Sequence, residues 1–414
     1  MYLCVYRSVF CPIRQGIFSL LPERAHACTI KYMEKTKKKI IAHLCPVRLG
    51  LTLVAALLIL LQRSLRGNYA AMRWLSGHFV RPALRTLGEK SAQANFSVAE
   101  LLIVLAVVGV LFYLLLFLEG VINRGHFFRR LYRLLLTLVC LVTVVYAGFC
   151  MLWGVFFYGD DFMNQSGLRT GPVSVEQLQT VTAFFASLAS DTATQVERDA
   201  DGVCAADREA ILERSGTLYA ALEEDFPCLE GPPLRAKGVK LSRLLSYTDF
   251  TGFFFPFTGE ANVNTDFPPG LFAATVAHEL AHQRGVAKEQ EANFVAVLVC
   301  LRNDDPDYTY SAALMAYTYL SNALAKADRE AWQTIYDGLD EAVLRDLEAE
   351  RVYWARFETP VRTVSNTVYE NFMYSYDQHL GLRSYGECVD LLVNYYYESA
   401  LQYLNALQTQ EEMP

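Results

Sequence analysis

The stretch Ala277-His278-Glu279-Leu280-Ala281-His282-Gln283-Arg284-Gly285 decides how the C-terminal part of this 414-residue chain is read. Two histidines four apart on a helix project from one face, one turn apart, so both imidazoles can reach a single metal ion. Glu279 stands beside the first of them, placed to take a proton from a water whose pKa zinc lowers to about 7. Two nitrogen ligands and a general base therefore lie within five residues. The flanks support a helix. Pro268-Pro269-Gly270 starts one, residues 271–280 read as its buried apolar body, and Gly285 ends it in the left-handed conformation.

A catalytic zinc takes three protein ligands. Beyond residue 158, the only further histidine is His379. A carboxylate fits better, because the Gly285 turn leads into Lys288-Glu289-Gln290-Glu291-Ala292-Asn293-Phe294, an acid-rich helix start. Lys288 stands where the metzincin pattern has its third histidine. That excludes the metzincin reading and leaves Glu289 or Glu291.

Hydrophobic residues make up 53% of the chain, high for a soluble protein, and the excess is local. Residues 49–61, 98–118 and 134–158 are apolar runs, the last two long enough to cross a hydrocarbon core of about 30 Å. They are read as three transmembrane helices within a membrane domain at 49–158. A basic segment at 1–48 precedes it, and an extracytoplasmic domain at 159–414 comes after it. Residues 1–158 carry 19 Lys+Arg against 5 Asp+Glu, whereas residues 159–414 carry 18 against 39. Nine basic residues (Lys35, Lys37, Lys38, Lys39, Arg48, Arg124, Arg129, Arg130, Arg133) fall on one side of the three spans, against six on the other. The bias puts the N-terminus inside and the acidic domain outside the cell membrane. With its basic residues next to the membrane and its remainder acidic, the chain is not read as a nucleic-acid binder. The partners expected are the lipid bilayer and a protein or peptide substrate.

The first 32 residues differ in character from the rest of the chain, and Met33-Glu34-Lys35-Thr36-Lys37-Lys38-Lys39 reads as the true translation start. Of the ten cysteines, Cys140, Cys150 and Cys300 read as packing residues. Cys204 and Cys228 are not expected to bridge: residues 205–224 read as one amphipathic helix, which would hold them about 30 Å apart. Ser174 reads as a helix cap. Tyr247-Thr248-Asp249-Phe250-Thr251-Gly252-Phe253-Phe254-Phe255-Pro256-Phe257-Thr258-Gly259 reads as an edge strand above the motif helix, able to pair with an extended substrate backbone. From Ser311 onward the chain reads as helical, broken near Pro360 and Gly381.

Residues 278–294, HELAHQRGVAKEQEANF, resemble the signature of an uncharacterised family of bacterial membrane proteins, a domain of unknown function assigned to the gluzincin-type metallopeptidases. Trp153-Gly154, Pro256-Phe257-Thr258-Gly259-Glu260-Ala261-Asn262 and Gly381-Leu382-Arg383-Ser384-Tyr385-Gly386 carry the resemblance over roughly residues 45–400. The segment is also similar to membrane gluzincins whose third ligand is the glutamate of an E-x-x-A-D pattern. That glutamate falls on Glu289, with Ala292 matched, Asn293 in place of the aspartate, and six residues between His282 and Glu289. Glu291 is the alternative. Gluzincins often add a histidine, tyrosine or arginine that stabilises the tetrahedral intermediate, and the resemblance makes His379 and Tyr385 candidates for that role. Asn293 is a candidate to orient a ligand, and Glu260 to face the metal.

The chain is therefore expected to be mainly α: three N-terminal transmembrane helices, then a mostly helical zincin-like domain with a small β edge. Zn2+ would be held by His278, His282 and Glu289, with Glu279 as base for peptide hydrolysis. The rival reading is a non-catalytic zinc-containing sensor or scaffold, whose metal would be closed by a fourth protein ligand.

Overall fold

The computed structural model describes residues 45–376 and 385–411. Its three apolar runs are helices, Pro46–Leu65, Val98–Arg124 and Phe127–Leu152, each long and apolar enough to cross a membrane. The third departs from the reading of residues 134–158. It begins at Phe127, drawing Arg129, Arg130 and Arg133 into its first turns, and stops at Leu152. A close approach follows the stop. A β-carbon at Gly154 would lie 2.8 Å from the Tyr376 ring and 3.0 Å from the Cys150 carbonyl oxygen, so only glycine lets the chain pass there. Residues Phe156–Tyr158 then form a short 3-10 turn with Phe156 buried. The stretch around Met33 lies outside the described residues.

The described residues divide into two compact units, one of residues 45–57 with 112–144 and the other of residues 58–111 with 145–376 and 385–411. In the second unit, two short helices, Tyr69–Leu75 and Arg81–Ser91, pack with Trp153, Val155, Phe156 and Ala287 in a small apolar cluster. The main core gathers Val175–Ala193, Phe272–Gln283, Glu289–Leu301, Pro306–Ala327 and Tyr385–Glu411 around side chains such as Phe185, Phe272, Phe294 and Leu314. Ser174 caps the first of these through a complete capping box with Gln177, as its position implies. Residues 205–224 are not one helix. Arg208–Arg214 is α-helical and Ser215–Ala221 is 3-10; at the junction the Pro233 carbonyl oxygen lies 3.0 Å from where a Gly216 β-carbon would sit and the Ser215 hydroxyl receives Ala236 N–H at 3.1 Å. Cys204 and Cys228 are both free thiols.

The sheet has three strands in the order β1–β3–β2: β1 (Lys237–Val239), β2 (Gly252–Phe255) and β3 (Glu260–Asn264). β1 runs parallel to β3 and β2 antiparallel, with Gly252 opposite Val263 and Phe255 opposite Glu260. β2 is thus one of two edge strands, but it is only the middle of the aromatic segment 247–259. Ser242–Tyr247 is helical and residues 256–259 make the turn into β3, a strand the aromatic pattern did not mark. Along β3 the side chains alternate. Ala261 and Val263 enter the core, while Glu260, Asn262 and Asn264 are buried on the other face in polar contacts.

Those contacts tie the sheet to the second apolar helix. Glu260 accepts Val98 N–H at 3.2 Å and Ala99 N–H at 2.7 Å, and Ser97 Oγ accepts Glu100 N–H at 2.9 Å. Glu100 in turn accepts the amides of Lys240 and Leu241 at 3.0 and 2.7 Å. Lys237 neutralises Glu260 at 2.5 Å and donates to the carbonyls of Ser91 and Phe96. Glu260 is thereby a helix cap on an ion pair, which corrects its candidacy as a metal-facing group. Amide hydrogens at a helix start have no intrahelical acceptor, so a carboxylate there is favourable.

Glu350, buried in helix Glu341–Ala355, accepts Trp354 Nε1–H at 2.8 Å with one oxygen and has no partner for the other. Burial pushes its carboxyl up to about 8. The folded chain keeps this proton where the unfolded chain has released it, so stability present below the ordinary carboxylate range is lost as pH rises through about 8. The slope is at most about 1.4 kcal/mol per pH unit. Glu350→Gln is expected to flatten that decline and to be the more stable protein at pH 9, measured by denaturant midpoints. Parallel profiles for the two proteins would refute it.

Candidate metal centre

The motif helix, Phe272–Gln283, packs against β3 and β2, with Ala273, Ala274, Val276 and Ala277 in the core. Gly285 takes φ +88°, the left-handed turn its position implies, and a β-carbon there would press on Arg81 and Phe156. The turn is fastened from several sides. Gln283 donates to the Gly259 carbonyl at 2.8 Å, Arg81 to the Arg284 carbonyl at 2.8 Å, and the Arg284 guanidinium lies 4.5 Å above the Tyr219 ring. Tyr219 donates to the Ala277 carbonyl at 2.8 Å. The chain then re-enters a helix, Glu289–Leu301, one turn beyond the histidines.

This geometry brings His278, His282 and Glu289 together, with one potential ligand atom from each all within 4.8 Å of one another. Glu289 Oε2 lies 3.2 Å from His278 Nε2 and 3.7 Å from His282 Nε2. His282 Nδ1 sits 2.7 Å from the Val286 carbonyl oxygen. A carbonyl only accepts, so Nδ1 carries a proton and Nε2 faces the triad, the arrangement that fixes a metal-binding imidazole. Burial lowers the affinity of His282 for its second proton, but the Glu289 carboxylate outweighs burial and lifts it to about 9. Burial also acts to raise Glu289, and there the two imidazoles win and hold it well below its usual range. An ion at the triad competes with that proton. Glu289 is the most open of the three, its side chain 30% exposed against 13% and 8% for the histidines, so the centre is entered from its side.

Glu291 is turned elsewhere. It accepts Phe162 N–H at 2.7 Å and lies 3.5 Å from Lys288, which pairs with Asp161 at 2.5 Å. Its burial, only partly offset by Lys288, raises its carboxyl to about 7. The group that orients Glu289 is not Asn293 but Tyr369, from helix Pro360–Ser375, whose hydroxyl donates to Glu289 Oε1 at 2.8 Å. Eighty residues separate the two in sequence, and one tyrosine among 24 carries no signal of its own.

Glu279 points toward β2. It is buried, Oε2 has no hydrogen-bond partner among the described residues, and burial raises its carboxyl to about 7, against the opposing histidines. A β-carbon at Gly252 would lie 2.6 Å from Glu279 Oε1, so the strand can run alongside the carboxylate only with glycine there. Trp153, one residue past the third apolar helix, meets the His282 ring edge-on at 5.8 Å and Phe254 at 4.9 Å. His379 lies outside the described residues. Tyr385 begins the last helix, and its side chain likewise lies outside those described.

No curated protein and no solved structure matches this chain. A family model described as a protein of unknown function, DUF3810, matches residues 78–393. That stretch runs from just before helix Arg81–Ser91 through the histidine helix and Tyr369 into the last helix. The chain belongs to the DUF3810 family of proteins of unknown function.

Proposed function

We propose that the protein is a membrane-anchored, zinc-dependent peptidase. The observation that carries the reading is the convergence of His278, His282 and Glu289 beside Glu279, a buried carboxylate with one oxygen left without a partner. Two imidazole nitrogens and a carboxylate oxygen suit zinc, and among the described residues they are three protein ligands, the number a catalytic site uses. When bound, zinc supplies a Lewis acid that lowers the pKa of a water and polarises a scissile carbonyl. Glu279 Oε2 would accept a proton from the attacking water and pass it to the leaving amine. His282 is kept in register by Val286, and Glu289 by Tyr369. The edge of β2 not paired with β3 gives an extended peptide a backbone to bind, next to Glu279. With Trp153 against His282 just beyond the third span, the substrates that fit are segments lying close to the membrane surface.

The orientation proposed is N-terminus inside and catalytic part outside. Segment 66–97 packs on the C-terminal part through Ser97–Asn262 at 2.6 Å, Arg81–Arg284 at 2.8 Å and Lys237–Ser91 at 2.7 Å, consistent with an odd number of crossings. Four of the six basic residues on that side, Arg66, Arg73, Arg81 and Arg85, hold it there through Ser375, Asp160, Arg284 and Glu230. The orientation itself rests on the nine basic residues of the other side against these six.

Metal analysis tests the reading. Protein purified from zinc-supplemented cells is expected to carry about one zinc per chain, and His282→Ala essentially none. Equal zinc in both, or none in either, would refute it.

A further inference from the structure

We propose that the cleft formed by Arg48, Arg129, Arg130 and Arg133 binds the phosphate of an anionic phospholipid. The proposal is independent of the peptidase reading and concerns the other compact unit. Its described residues, 45–57 and 112–144, contain five arginines and a single carboxylate, Glu119. Glu119 lies 3.6 Å from Arg124. The other four arginines have no acid partner among the described residues, yet they line one cleft of about 360 Å³ with His126, Tyr113, Leu116 and Phe117.

Two of the arginines are held in place but not neutralised. Arg48 donates to the Arg133 carbonyl at 3.3 Å and Arg130 Nε to the Gly125 carbonyl at 2.9 Å. Arg130 lies against Gly120, where a β-carbon would collide with its guanidinium. Arg133 Nε is buried with no hydrogen-bond partner among the described residues. Four like charges in one cleft repel, and an anion among them removes that repulsion. Helices Pro46–Leu65 and Phe127–Leu152 each contribute an arginine-bearing first turn, which adds the partial positive charge of a helix start.

The chemistry selects phosphate, because guanidinium forks match its oxygens in pairs. The walls select a lipid as its source. Leu116 and Phe117 line the cleft on an uncharged stretch of helix whose neighbours Leu115 and Leu118 are exposed, which gives an acyl chain an apolar track leading from the arginines. A general demand for basic residues near the cytoplasmic face is met by charges anywhere along the loop. It does not call for four of them on one cavity, and clefts of this kind between spans accept anionic headgroups.

The test is lipid retention by the full chain in detergent, read by native mass spectrometry and by thermal shift. Three additions are compared: phosphatidylglycerol, phosphatidylcholine and inorganic phosphate. Wild type is expected to retain and be stabilised by phosphatidylglycerol alone. Arg130→Gln/Arg133→Gln is expected to bind it about thirtyfold more weakly, each arginine contributing roughly fivefold. Arg124→Gln, which removes an equal charge outside the cleft, is expected to bind as wild type. The proposal fails if Arg124→Gln weakens binding as much as the double variant, if phosphatidylcholine binds equally well, or if inorganic phosphate alone gives the full shift, which would assign the cleft to a soluble phosphate. A double variant that unfolds is replaced by Gly120→Val, which displaces Arg130 with every charge kept and is expected to weaken phosphatidylglycerol; unchanged binding would overturn the proposal.

Discussion

Glu279→Gln is expected to keep its zinc and to lose peptide hydrolysis by roughly 10²–10⁴-fold. The change is close to isosteric, so the contact with Gly252 and the burial against β2 are preserved, and none of the three proposed ligands is altered. What disappears is the ability of one side-chain atom to accept a proton. The measurement is cleavage of a quenched peptide library in detergent micelles, with zinc content measured on the same samples. Loss of hydrolysis together with loss of zinc would point to a damaged site rather than a missing base. Retained hydrolysis with zinc in place would sink the assignment of Glu279.

The second large effect concerns Asp346, which has no part in the proposed metal site but is central to the core. Its carboxylate is 2% exposed, accepts Cys204 N–H at 2.7 Å, pairs with Arg198 at 3.1 Å and receives the Tyr310 hydroxyl. Arg198 also donates to the carbonyls of Ala193 and Gly202. Removing one partner of a buried ion pair leaves the other charge without compensation, at a cost of about 3–5 kcal/mol. Asp346→Ala is therefore expected to lose stability on that scale, read from denaturant midpoints in detergent. A loss under about 1 kcal/mol, the size of an exposed pair, would show that the hub contributes only locally.

Much of this was legible in the chain. Apolar runs of membrane length, two histidines at helical spacing, a serine three residues before a glutamine, and a glycine ending a helix are local signals, and each appears where its local physics puts it. The choice between Glu289 and Glu291 was half legible. Residues two apart on a helix point about 200° from one another, so only one can face the histidines. Which one is decided by Phe162, whose amide takes Glu291. Illegible were the contacts with large sequence separation: Tyr369 on Glu289, Glu260 on the start of the second apolar helix, and the Pro233 carbonyl against Gly216. The start of the third span was hidden for another reason. Arg129, Arg130 and Arg133 end an apolar count before they end a helix, since a helix needs only its own backbone bonds to continue.

The carboxylate cap on the second span bears on biogenesis. Val98 and Ala99 leave the ribosome some 160 residues ahead of Glu260, the acid that receives their amide hydrogens. Until that acid arrives, the helix begins with donors that lack their carboxylate. Synthesis therefore precedes completion. The helix start is sealed only when strand β3 has been made and folded alongside it.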